Sequence, residues 1–293
     1  MKIELTSPMA TSVLAKRIGA RHFGPDIPVN SVTAVDDVEV GSLTFWQSYD
    51  PLPDDLPSNA CVIVRESVLP RVSTEYCCLV CRNPRLEFVR LLHWFEKEKQ
   101  FVSGPKGNIH SSAKVHPTAV IDSGASIGAG VLIGPRAHIA SCCSLGENVS
   151  IGSGCVIGHP GFGYERDEEG VPVKFPHFGR VVVDAGCEIG SNTTIARGNL
   201  SDTWIGRHVK IDDQVYIAHN CVIGESTMIA GGARICGSVV IGRRCWIGSG
   251  AMIRQGLGVG DQAVIGLGAA VVRSVASETV VAGNPAEGLF EKT

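Results

Sequence analysis

The chain has 293 residues, 44% of them hydrophobic but only 6% aromatic, and a formal net charge of -3. That length can bury a sizeable core, which must be aliphatic and repetitive because large rings are scarce. Without runs of Lys or Arg there is no electrostatic footprint for nucleic acid or an anionic membrane, and a start of Met1-Lys2-Ile3-Glu4-Leu5, with no apolar run of membrane length, reads as a cytoplasmic protein.

Residues 1–103 read as a small α/β domain. Ser7-Pro8 suits the N-cap and first turn of a helix over Ala10 to Ile18, Ala60 to Val64 and Cys77 to Cys81 suit strands, and Asn83-Pro84-Arg85 opens a second helix through Phe88, Leu91, Leu92 and Phe95. The 11 cysteines are irregularly spaced and follow no secretory signal, so reduced thiols are expected. Cys78 and Cys81 lack the second pair that a zinc site needs and are expected in a buried strand. Ser103-Gly104-Pro105-Lys106-Gly107 then reads as a linker, dividing the chain into domains 1–103 and 104–293.

From Ile109 an aliphatic residue recurs at every sixth position: Val115, Ile121, Ile127, Ile133, Ile139, Leu145, Ile151, Ile157. The register resumes at Val183, Ile189 and Ile195, and after four extra residues runs from Ile205 to Val271. Neither an α-helix nor an alternating strand repeats every six residues, whereas a hexapeptide β-helix does. The fold class expected is mainly β, a left-handed parallel β-helix behind the small α/β domain. Gly after the aliphatic residue, as in Ile127-Gly128 and Ile247-Gly248, suits a turn with positive φ or close packing. Coils of roughly eighteen residues then stack about 4.8 Å apart. The register breaks over residues 159–180, where a charged tip between apolar arms predicts a projecting hairpin inserted in the β-helix domain.

His219 falls inside the repeat, two places after the inward Ile217, and should project from the coil wall as a candidate general base. Gly237 lies 18 residues on, one coil beyond, where its N–H can face the same cleft and serve an oxyanion, or where the glycine serves only its turn. The spacing of His110, His116 and His208 from His219 does not match a three-histidine zinc site, so no metal is expected.

Several motifs share one resemblance: Gly41-Ser42-Leu43-Thr44-Phe45, Gly161-Phe162-Gly163-Tyr164 leading to Gly179-Arg180-Val181-Val182, and Ile211-Asp212-Asp213-Gln214 before Ile217-Ala218-His219-Asn220. The combination resembles the UDP-3-O-acylglucosamine N-acyltransferases of lipid A synthesis, over nearly the whole chain. The resemblance implies N-acyl transfer to a UDP-linked amino sugar, with His219 as general base, Asp212 as its acidic partner and Gly237 as oxyanion donor. It also implies that Phe45, with Tyr49 as companion, stacks on uracil, that the chain is a homotrimer, and that no cofactor is tightly bound.

Three departures from the family pattern bear on the donor. Arg254-Gln255-Gly256 stands where the family has its second histidine, Ile195-Ala196-Arg197-Gly198 replaces an Ile-Asp-Arg-Gly stretch, and the family's C-terminal helices, which help engage acyl carrier protein, do not follow Gly283-Asn284-Pro285-Ala286. The co-substrate implied is therefore acyl carrier protein thioester or acyl-coenzyme A. The alternatives are a coenzyme A-dependent N-acyltransferase of another nucleotide amino sugar for surface polysaccharide, or a β-helix that binds or scaffolds without catalysis.

Overall fold

The computed structural model describes residues 2–69, 72–73, 75–102 and 106–291. The chain forms two compact units, Met1–Ser103 with Gly163–Phe178, and Gly104–Phe162 with Gly179–Thr293. Most of the linker read at Ser103 to Gly107 lies outside the described residues.

The first unit is a six-stranded sheet with two helices. Its strands are β1 (Lys2–Ala10), β2 (Arg21–Phe23), β3 (Pro28–Thr33), β4 (Ser42–Phe45), β5 (Cys61–Val64) and β6 (Cys77–Val80), with α1 (Thr11–Ile18) and α2 (Pro84–Lys97). The spatial order is β1-β3-β4-β5-β6-β2. The four central strands are parallel, and β5 and β6 are buried throughout, as Val, Ile, Leu and Cys runs covered on both faces require.

The start of α1 differs from expectation. Ser7-Pro8 lies within β1, and the N-cap residue Ala10 makes no side-chain capping bond. Pro8 is tolerated because β1 is an edge strand whose register shifts between Glu4 and Met9. Asp26 does the capping from a distance: its Oδ1 accepts from the Ser12 N–H at 2.9 Å and its Oδ2 from the Ser12 hydroxyl at 2.7 Å. The Thr11 hydroxyl donates to Oδ1 as well, at 2.8 Å. These bonds, those from Ser12 first, hold the Asp26 carboxyl down at about 2. In α2 the expectation holds: the Asn83 side chain accepts from Leu86 N–H, Pro84 occupies the first turn, and Leu86, Phe88, Leu91, Leu92 and Phe95 form the buried face.

The hairpin expected as part of the β-helix domain belongs instead to the first unit. Its strands Tyr164–Arg166 and Pro172–Lys174 pair antiparallel. Glu168 meets Arg90 at 2.6 Å and Glu165 meets Arg85 at 3.3 Å, but pairs at the solvent surface contribute only about 0–1 kcal/mol each. Phe175 contributes more: its ring is 1% exposed, and burying a side chain of that size is worth roughly 1.5–3 kcal/mol. An apolar arm rather than the charged tip ties the hairpin down.

The second unit is the left-handed parallel β-helix, three sheets of short strands one coil apart that are parallel except where the last strand, Glu287–Glu291, runs antiparallel to Thr279–Ala282. One column runs Tyr216–Ile217, Arg234–Ile235, Met252–Ile253, Ala270–Val271, each strand in register with the next. Ile217, Ile235 and Ile253 are fully buried, and the inward residues of all three sheets form one continuous aliphatic core. The glycines after the aliphatic positions are there for close approach and not for positive φ. A Cβ on Gly128 would sit 2.8 Å from the Gly146 backbone, and one on Gly248 2.6 Å from Leu267 N. Positive φ falls two residues later in the repeat, at Gly130, Asn148, Asn220 and Ser238 among others.

Candidate active site

Tyr216–Ile217 brings the chain to a corner of the coil, where Ala218 is buried, His219 half-buried, and Asn220 takes the left-handed conformation with φ 60°. Asn tolerates that conformation well, and the turn sets its amide beside the imidazole. His219 Nδ1 lies 2.8 Å from Asn220 Oδ1. The amide orientation is settled by its other partners: Nδ2 donates to the Ser201 hydroxyl at 2.6 Å, and Oδ1 accepts from the Asn199 N–H at 3.2 Å. An oxygen can only accept, so Nδ1 carries the ring proton and Nε2 carries the lone pair. Asn199 and Ser201 belong to the four extra residues that interrupt the repeat, so that interruption helps build the site.

Gly237 lies against the ring, as the 18-residue stacking expects. A Cβ at Gly237 would fall 2.6 Å from His219 Cε1 and 2.7 Å from Nε2. The positive φ of this turn belongs to Ser238, so the turn does not demand the glycine; the imidazole does. The Gly237 N–H occupies the repeat position two after the inward aliphatic residue. Elsewhere that same position donates to carboxylates: Gly231 N–H to Asp212 Oδ2 at 3.0 Å, Arg243 N–H to Asp261 Oδ1 at 2.8 Å, and Ser191 N–H to Asp213. The backbone geometry of this repeat therefore presents an outward donor to a negatively charged oxygen. At Gly237 that donor stands beside a base.

Asp212 is not brought to His219 within the chain. Its Oδ2 accepts from Gly231 and its Oδ1 from the Asp213 N–H at 2.8 Å, and it follows a strand of a different sheet, Lys210–Ile211. The role of orienting the ring falls to Asn220, which the sequence pattern does not single out although it stands in the Ile217-Ala218-His219-Asn220 motif.

One coil back, the same corner carries Arg197, and farther back Cys142 and Cys143. A Cβ at Gly158 would meet both sulfurs, at 2.4 Å for Cys143 and 3.1 Å for Cys142. The Cys143 thiol beside it, and then the Arg197 guanidinium, pull Cys142 down to about 6, while Cys143 is pushed up. Cys142 is half-buried, as are Cys81 and Cys236, and burial pushes Cys81 up to about 12. Limited alkylation with iodoacetamide at about pH 7 is therefore expected to label Cys142 first, because the thiolate is the nucleophile. Peptide mapping that finds Cys81 or Cys236 labelled sooner contradicts this ranking.

In the first unit, Phe45 ends β4 at the carboxyl edge of the parallel strands, where ligands of open α/β sheets bind. Its ring is half-buried and packs on Phe88 at 4.9 Å and Phe175 at 6.5 Å, so it both fills the core and presents an edge to solvent. Tyr49 is 70% exposed. The Arg65 guanidinium stacks over its ring at 4.5 Å. No group of three or more His, Cys, Asp or Glu that could hold a metal ion occurs among the described residues, and among them no helix is long and apolar enough to cross a membrane.

The bacterial transferase hexapeptide model (six repeats) matches residues 124–159 and 202–237, the second segment containing both His219 and Gly237. A solved UDP-N-acetylglucosamine acyltransferase from Campylobacter jejuni superposes with a TM-score of 0.50 at 24% identity, covering 61% of this chain and 75% of that one, which supports the fold. The UDP-3-O-acylglucosamine N-acyltransferase of Pseudomonas paraeruginosa is 33% identical over 261 aligned positions, 77% of this chain and 71% of the relative. That of Coxiella burnetii is 36% identical over 258 positions, 77% of this chain and 73% of the relative. With that identity over most of both chains, and with the hexapeptide repeat matched across the histidine-bearing corner, the chain belongs to the UDP-3-O-acylglucosamine N-acyltransferase family.

Proposed function

We propose that this protein transfers an acyl group from a phosphopantetheine thioester to the amine of a UDP-linked amino sugar. The observation that carries the reading is the His219 ring held over Gly237, a base and a backbone donor on one corner. The amine attacks the thioester carbonyl while Nε2 takes its proton, and the oxygen that becomes negative accepts from the Gly237 N–H. Collapse of the tetrahedral intermediate expels the thiolate, which leaves as the thiol after receiving the proton from the imidazolium. The relatives' names carry the same acceptor and the same bond.

The first unit supplies the nucleotide site in this reading, with the exposed edge of Phe45 and the ring of Tyr49 as stacking surfaces for uracil and Arg65 close to the phosphates. The assembly is a cytoplasmic homotrimer. Trp204, Val222 and Val240 stack in register on one face of the β-helix, and Met228 and Trp246 on another. Exposures of 40% at Trp204, 51% at Val240 and 45% at Trp246 leave apolar columns that association would cover. Only another subunit can bring an Asp212 carboxylate to His219.

The test is transfer onto a panel of UDP-linked amino sugars, offering carrier-protein and coenzyme A thioesters of several lengths in parallel. Product from the carrier-protein thioester of a long 3-hydroxy acid with UDP-3-O-acylglucosamine is the expected result. Product only from short acyl-coenzyme A and another amino sugar replaces it with the polysaccharide-modifying alternative. Binding of the sugar nucleotide with no transfer from any donor overturns catalysis in favour of a binding protein.

A further inference from the structure

All 11 cysteines are free thiols, and among the described residues only Cys81, Cys142 and Cys236 are partly exposed. Cys142 has a second sulfur beside it. Consecutive side chains of a strand point to opposite faces, but Cys142 ends a turn and Cys143 opens the strand Cys143–Leu145, which brings both sulfurs to one side. Their thiols donate to successive carbonyls of the next coil, Cys142 to Gly158 O at 3.5 Å and Cys143 to Ile157 O at 3.2 Å. Together they fill the space that a side chain at Gly158, where φ is 91°, would need.

The pair is asymmetric. Cys143 is 2% exposed and Cys142 half-buried, so a reagent in solvent meets Cys142 alone. The hydrogen bond from Cys143, and after it the Arg197 guanidinium, favour the thiolate on Cys142. Arg197 Nε is itself buried and has no hydrogen-bond partner among the described residues. A partly exposed thiolate in an electropositive setting, with a second thiol adjacent, is the arrangement of oxidant-reactive cysteines. Cys77 makes the contrast: its bond to Cys61 pulls it down to about 7 and it lies 3.7 Å from His22 Nε2, but it is fully buried.

We propose that Cys142 is a hydroperoxide-reactive thiol and that Cys143 resolves its oxidised form. In the first step the Cys142 sulfur attacks one peroxide oxygen. The S–O bond forms, the O–O bond breaks, the sulfur is oxidised as the peroxide is reduced, and the departing hydroxide or alkoxide takes a proton from solvent. In the second, the Cys143 sulfur attacks the sulfenic sulfur; the S–S bond forms, the S–O bond breaks, and the hydroxyl leaves as water with the Cys143 proton. The hydrogen bond to the Cys142 thiolate holds Cys143 protonated beforehand, and the first step removes that charge. Consecutive Cα atoms lie about 3.8 Å apart, inside the roughly 4.4 Å that an ordinary disulfide keeps, so the ring is strained and thiols reduce it readily. The modification is therefore reversible. It is independent of the acyl-transfer reading.

The experiment exposes the full native chain to hydrogen peroxide near neutral pH with dimedone present, blocks the remaining thiols with iodoacetamide, and maps the peptides before and after dithiothreitol. The peptide holding Cys142 and Cys143 is expected to lose both alkylation sites and two hydrogens before any other cysteine changes, and to recover with the reductant. Cys143→Ser should instead accumulate a dimedone adduct on Cys142. Arg197→Gln should slow the modification by about tenfold, because the thiolate is the nucleophile, and Arg197→Lys by less, with thermal melts alike. In urea the preference for Cys142 should vanish. First modification at Cys81 or Cys236 overturns the proposal, as does a preference for Cys142 that survives unfolding. A dimedone adduct on Cys142 of the native chain with Cys143 still free removes the resolving role. The mapping of the native chain decides the matter even if a variant fails to fold.

Discussion

His219→Ala is expected to lower kcat for acyl transfer by about 10²- to 10⁴-fold, the range a positioned general base supplies, and to leave the fold intact. The two halves of that expectation come from different parts of the geometry. The ring lies at a corner outside the aliphatic core, half-buried, so its removal costs little packing. Neither Asn220 nor Asp212 replaces its chemistry. Asn220 fixes the Nδ1 proton but accepts only at its oxygen, and the Asp212 carboxylate is occupied by the Gly231 and Asp213 amides. An amine protonated at neutral pH is no nucleophile, and one that attacks while protons stay in place yields a cationic intermediate that reverts. The variant should therefore lose turnover with its KM for the sugar nucleotide and its thermal melt nearly unchanged. A variant that keeps more than about a tenth of the native rate would remove His219 from the base role.

The β-helix was legible because its signal is redundant: an aliphatic residue every six positions encodes strand, inward direction and coil height at once, and one column of Ile217, Ile235 and Ile253 repeats the same message. The same arithmetic placed Gly237 beside His219. It also separates Asp212 from His219 within one subunit. Asp212 follows Ile211 and His219 follows Ile217, one hexapeptide apart, which separates them by one side of the triangular coil and puts them at different corners.

What the register could not carry were contacts made by residues outside it. Asn199 and Ser201 sit in an interruption whose path depends on packing, and only the folded chain brings them to Asn220. The hairpin was visible from its charged tip, but its destination was decided by Phe175 joining Phe45 and Phe88, a choice made by ring burial at long range. In the first unit Ser7-Pro8 had the local chemistry of a helix start. The strand pairing of Lys2–Ala10 with Pro28–Thr33 outweighed it, and Asp26, remote in sequence, took over the cap.

Gly237→Ala is expected to cost about 10²- to 10³-fold in kcat, the loss typical when an oxyanion donor is disabled, although it adds a single methyl group. The backbone has no objection to that methyl: φ at Gly237 is not positive, the left-handed residue of this turn being Ser238, so alanine meets no conformational strain there. The obstacle is the imidazole. A Cβ 2.6 Å from Cε1 and 2.7 Å from Nε2 lies well inside contact distance, and the ring must swing away, breaking its bond to Asn220 and withdrawing the base from the donor. A purely structural glycine predicts the opposite pattern, in which stability falls and residual folded enzyme works normally. The decisive measurements are the thermal melt, kcat and the Nδ1–H proton resonance of His219. An unchanged melt with lost turnover and a shifted or vanished resonance supports one catalytic corner made of two coils, whereas native turnover in Gly237→Ala would mean that the glycine and the histidine do not act on the same carbonyl.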